Sequence, residues 1–189
     1  MITLILGLVV FLGAHSFTTL RGARAALIGK IGDGPYKGLY SLVSLAGFVL
    51  LIIGYGQYRA NGYIPVWQPP TGLRHLTLLL MWFAFVSLVA AYSPGMIKTR
   101  LKHPMLVAIK AWACGHLLAN GDLGSMILFG AFLAWAVYDR ISVKRRVGAE
   151  QTENRSFGRR DLVALVIGTV AFGVMIKLHP MLIGVSVLY

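Results

Sequence analysis

Long apolar runs separated by short polar or basic stretches make up most of the chain. A helix that crosses a bilayer needs about 20 mostly apolar residues, within a range of about 17–25. Residues 2–20 supply the first such run, interrupted only by Ser, Thr, Gly and His15. Residues 38–58 and 75–92 supply the second and third, the third stopping ahead of Pro94. Residues 104–119 form the fourth, with Pro104 in the first helical turn, where a missing N–H costs nothing. Residues 123–141 and 162–178 complete the set. Pro180 is expected to break the last helix and leave an apolar tail, Met181 to Tyr189. The pattern predicts an all-α, polytopic membrane bundle of six helices, one domain over residues 1–189.

Composition agrees. The chain is 57% hydrophobic and 13% charged, whereas a soluble domain carries about a quarter charged residues. The single cysteine, Cys114, excludes a disulfide scaffold, and the wealth of Leu, Val, Ile and Phe excludes disorder. The net charge of +12 is the feature that needs a place. Arg21, Arg24, Lys30 and Lys37 fall in the first loop, and Lys98, Arg100 and Lys102 in the third. Arg140, Lys144, Arg145, Arg146, Arg155, Arg159 and Arg160 fall in the fifth. These alternate loops hold 14 of the 18 basic residues; Arg59, Arg74 and Lys177 are on the other side, and Lys110 is inside a span. Such asymmetry predicts cytoplasmic odd loops, with both termini outside.

Ala23-Arg24-Ala25 has the look of a signal-peptide cleavage site. However, the basic residues follow the apolar run instead of preceding it, so a retained helix is expected. The polar stretch Ser142 to Asp161 reads as a solvated positive loop and not as a nucleic-acid site. The Gly-rich run Gly29 to Gly34 lacks the spacing of a phosphate loop and reads as a turn between helices. Ser41, Ser44 and Gly47 share one helical stripe, the mark of helix–helix contact.

Ionisable side chains within a span are costly, and each is a functional candidate. His15, Lys110 and His116 lie inside spans; His75, His103, Asp122, Asp139 and His179 lie near span ends. There is no cysteine cluster, no His-Glu-x-x-His and no pair of carboxylates inside a span, so zinc hydrolysis and glycosidase chemistry have no support. Two neutral imidazoles on different helices suit the axial positions of haem iron. Lys110 is then a partner for a propionate or, equally, a snorkelling lysine paired with Asp139. At about 1.5 Å per residue, His15 stands about 8 Å and His116 about 20 Å from the cytoplasmic ends of their helices. That offset leaves a rival open: an outer metal cluster of His116, His75 and His179, with His103 nearer His15.

Several stretches resemble the NnrU family of bacterial integral membrane proteins. They are Leu12 to Ser16, Lys37 to Ser44, His103 to Leu106 with Lys110 and Trp112, His116 to Asp122, Trp135 to Ser142, and His179-Pro180. The resemblance implies a link to the nitrite and nitric oxide reduction of denitrifying bacteria. Relatives include the 15-cis-zeta-carotene isomerases of plants and cyanobacteria, which are membrane haem b proteins. Ala14-His15-Ser16 and the pair His103 and His116, thirteen residues apart, are similar to the corresponding isomerase stretches. The resemblance therefore implies haem b with His15 and His116 as ligands, in an isomerase or oxidoreductase acting on a hydrophobic small molecule. The sequence departs from the isomerases around the last motif and at a shorter N-terminus, so haem is better supported than a carotenoid substrate.

Two alternatives stand beside it. One is a non-catalytic membrane factor supporting assembly or expression of a reductase, its histidines merely satisfying buried contacts. The other is a membrane methyltransferase, from the similarity of Lys102-His103-Pro104 to isoprenylcysteine carboxyl methyltransferases. The paired glutamates of those enzymes are not matched by Glu150 and Glu153. Nothing in the sequence sets the oligomeric state.

Overall fold

The structure is a computed structural model that describes residues 1–147 and 155–187. The element order is α1 (Ile2–Phe17), α2 (Arg21–Ile31), α3 (Asp33–Ala60), α4 (Leu73–Tyr92), α5 (Met96–Leu101), α6 (Pro104–Ala119), α7 (Leu123–Val147) and α8 (Arg159–Ile183). Among the described residues four helices are long and apolar enough to cross a membrane: Asp33–Ala60, Leu73–Tyr92, Leu123–Arg145 and Arg159–Ile183. The pair α1 and α2 makes a fifth if its two limbs, bent by 87°, are one span. At 16 residues, α6 is about 24 Å long, short of the ~30 Å hydrocarbon core.

The expected helices shift at their ends, each for a visible reason. α1 stops at Phe17 instead of residue 20, because Thr18 and Thr19 turn their hydroxyls back onto the carbonyls of His15 and Ser16, both at 2.7 Å. These bonds satisfy the orphan carbonyls of the helix end. The Gly-rich run contributes only Gly32 to the turn, at φ 86°; its neighbours are helical. Pro180 does not break α8, which runs through it to Ile183 and stops at Gly184 in the left-handed conformation. The proline removes one N–H, and the next turn is still closed by Gly184 N–H donating to the Pro180 carbonyl at 3.0 Å.

The chain forms two compact units. The first holds Met1–Pro69 and Asn120–Val143. Here α1 and α3 run antiparallel at the closest approach that helices allow. A methyl group on Gly7 would stand 2.7 Å from the Leu51 nitrogen, and one on Gly47 would stand 2.6 Å from that of Phe11. Gly54 lies against the backbone of Leu4 in the same way. Without a hydrophobic drive between helices in lipid, small residues that admit backbone contact take its place. Gly47 of the expected stripe is thus a contact residue, whereas Ser41 is exposed. Leu4, Leu8 and Leu51 form the core, with Ile127, Leu128 and Phe132 of α7 packed on it.

An extended segment closes one end of this unit. Val66 and Trp67 N–H both donate to the Gly121 carbonyl, at 2.7 and 3.0 Å, and Leu123 N–H donates to Ile64. Tyr55 Oη meets Ser125 Oγ at 2.7 Å, and Tyr58 Oη accepts Ile64 N–H at 2.9 Å.

The second unit holds Pro70–Ala119 and residues from Lys144 onward. α4 is its centre, antiparallel to both α6 and α8. Thr77 Oγ1 donates to the Gly115 carbonyl at 3.1 Å, and Trp82 Nε1 donates to Thr169 Oγ1 at 2.9 Å. At the other end of α4, Asp161 is 1% exposed and accepts Ile97 N–H at 2.7 Å and Gly158 N–H at 3.0 Å. Arg155 and Arg160 donate to the Pro94 carbonyl, at 2.7 and 3.3 Å. These bonds gather the third loop and the start of α8 at one end of the unit.

Candidate functional site

His15 lies two residues before the end of the α1 limb, which ends at Phe17. Its Nδ1 is 2.7 Å from the Phe11 carbonyl oxygen, one helical turn earlier. A carbonyl only accepts, so Nδ1 carries the hydrogen and the neutral ring keeps its lone pair on Nε2. Phe11 also lies over the imidazole, with ring centroids 4.2 Å apart. Tyr40 of α3 stands at 5.5 Å, and Trp135 of α7 meets the ring edge-on at 5.7 Å.

His116 of α6 repeats this arrangement in the second unit. Its Nδ1 is 3.0 Å from the Trp112 carbonyl, and the Trp112 ring is 5.4 Å away. The chain therefore carries one pattern twice, Phe11-Leu12-Gly13-Ala14-His15 and Trp112-Ala113-Cys114-Gly115-His116: an aromatic residue, then histidine four residues and one turn on. Sequence reasoning singled out both histidines but missed the aromatic four residues before each, a signal that was legible in the spacing. Lys110 is half-buried on α6. Six residues from His116, it points about 120° round the helix from it.

The remaining histidines have different surroundings. His75 is exposed at the start of α4. His179 donates from Nδ1 to the Val185 carbonyl at 2.7 Å, across the Gly184 turn. Among the described residues no three His, Cys, Asp or Glu side chains are grouped to hold a metal ion, and this includes His75, His116 and His179. His103 follows Lys102, whose φ of 62° and ψ of −54°, with His103 N–H donating to Leu101 at 2.7 Å, make a γ-turn. Asp122 caps α7 by accepting Ser125 N–H at 2.9 Å. Glu150 and Glu153 lie outside the described residues.

A cleft of about 220 Å³ opens in the first unit, in the angle between α1, α2 and α3. Ala14 and Phe17 of α1, Leu27 of α2, and Tyr36, Leu39, Tyr40 and Val43 of α3 line it. Tyr36 is 5% exposed, and its buried hydroxyl has no hydrogen-bond partner among the described residues. Trp135 Nε1 and Ser44 Oγ, in the same unit, are also buried without partners among the described residues.

The family model of the NnrU proteins matches residues 3–187. The chain belongs to the NnrU family. The match takes in both aromatic–histidine patterns and every helix of this NnrU chain. No curated protein and no solved structure matches it significantly.

Proposed function

We propose that this NnrU chain is a multi-pass protein of the bacterial inner membrane that binds haem b, with His15 and His116 as iron ligands. In this reading all six apolar runs cross the bilayer, with both termini outside. The loop distribution of basic residues supports that orientation. In the second unit, bonds from Arg155 and Arg160 to Pro94 join two of the basic loops at one end, as the orientation requires.

The observation that carries the haem reading is the repeated Nδ1 bond. Each carbonyl fixes the tautomer that leaves Nε2 as the electron-pair donor, and an oriented neutral imidazole is what iron accepts. Bound haem supplies one-electron chemistry at iron, and the protein sets its potential and access. Phe11, Tyr40 and Trp135 hold the His15 ring in place and keep its surroundings apolar. Lys110 supplies a cation for a propionate. The chemistry served is redox or isomerisation of a lipophilic substrate, linked to nitrite and nitric oxide reduction. Pyridine hemochrome analysis of the detergent-purified chain is expected to report haem b; protein purified from haem-replete cells without it overturns the reading.

The same bonds favour a second reading. A histidine satisfied inside its own helix is also a stable structural residue, as a non-catalytic factor for reductase assembly would need. That reading predicts unchanged reductase levels in cells when His15→Gln and His116→Gln variants replace the native chain. Methyl transfer gains no observation from the structure.

A further inference from the structure

The cleft beside α2 has the chemistry of a lipid site, independently of the haem reading. α2 leaves α1 at 87°, the disposition of a helix that lies in a membrane surface instead of crossing it. Arg21, Arg24 and Lys30 are its exposed cations, while Leu27 and Ile28 are half-buried. Leu27, Phe17, Leu39 and Val43 give the cleft an apolar wall. Its volume lies below the ~300–1,000 Å³ of a site for a whole drug-sized ligand, which suits a chain and not a macrocycle.

Two polar groups lie beside this apolar wall. The Tyr36 hydroxyl, buried and unpartnered, is a donor that costs free energy until an acceptor reaches it. The Arg24 guanidinium lies 5.5 Å from the centroid of the Tyr36 ring, which sets a cation on the same wall. Apolar cleft, single donor and cation follow the order of an acyl chain, its ester carbonyl and a phosphate.

We propose that the α1–α2–α3 cleft binds one anionic phospholipid, its acyl chain against Leu39 and Val43, its ester on Tyr36 and its phosphate at Arg24. The bound lipid would hold α2 at the membrane surface, supplying an acceptor that the described residues do not.

The test is native mass spectrometry of the full chain after exchange in vesicles containing equal parts of phosphatidylglycerol and phosphatidylcholine. The wild-type chain is expected to retain phosphatidylglycerol preferentially. Arg24→Gln should lower that retention about fivefold and leave phosphatidylcholine unchanged, as one surface cation predicts. Val43→Trp, which fills the cleft, should lower retention of both lipids. Leu45→Trp is the folding control, since the same change on the exposed side of α3 should leave retention intact. Equal retention of the two lipids by the wild type, or phosphatidylglycerol retained undiminished by Arg24→Gln and Val43→Trp, overturns the site.

Discussion

Phe11 holds His15 twice, through its carbonyl at 2.7 Å from Nδ1 and through its ring at 4.2 Å between centroids. One residue thereby sets both the tautomer and the tilt of the imidazole. Trp112 does the same for His116 in the other unit. Because the restraint is intrahelical, each ring is oriented by its own helix before any ligand arrives. Preorganised donors of this kind lose little freedom on coordination.

The contact between α1 and α3 should be intolerant of any side chain. Gly54→Ala would force a methyl group into the Leu4 backbone, and overpacking of this kind costs about 1–3 kcal/mol. Gly56→Ala on the same helix meets nothing within 4 Å and should stabilise by roughly 0.5–1 kcal/mol. Thermal unfolding in detergent is expected to move in opposite directions for the two variants.

Tyr55 and Ser125 form a buried pair at 2.7 Å, and the serine is fully enclosed. Tyr55→Phe orphans the serine hydroxyl and should cost about 1–3 kcal/mol. Adding Ser125→Ala removes the orphan, so the double variant should recover part of that loss. Additive destabilisation in a double-mutant cycle would contradict the pairing.

Asp161 joins the start of α8 to the third loop through Ile97 and Gly158 N–H groups. Asp161→Ala leaves those donors buried and unpaired and should cost upwards of ~2 kcal/mol. Limited proteolysis should then cut the loop around Met96 faster, while cleavage of the Tyr63–Pro69 segment in the other unit should not change.

Lys102 adopts φ 62° in its γ-turn, a conformation that L-residues with a Cβ take only under strain. Lys102→Gly should therefore raise stability, by about 1 kcal/mol, despite removing a side chain. A lower melting temperature in this variant would show that the lysine side chain matters more than its backbone.

The helical run 104–119 was legible to the residue because Pro104 marks its start and polar Asn120 its end. Local signals of this kind work where one residue decides. Pro180 was misleading, since its rule concerns a single missing bond, and the Gly184 turn closes the helix regardless. The 87° bend after Phe17 depends on where Thr18 and Thr19 send their hydroxyls, which hydropathy does not record. The bonds from Val66 and Trp67 to Gly121 join segments more than fifty residues apart, beyond the reach of any local pattern. Of the candidate site, His15 and His116 were legible as ionisable side chains placed where a charge would be costly. Tyr36 was not, because its importance lies in an absent partner.

The reduced-minus-oxidised absorption spectrum of the detergent-purified chain tests the central claim most directly. The haem reading predicts a Soret band and b-type visible bands in the wild type. It also predicts loss or a clear shift of those bands in His15→Ala and in His116→Ala, with His75→Ala unchanged. A purified, folded chain without a Soret band, or one whose spectrum is the same in both ligand variants, would contradict it.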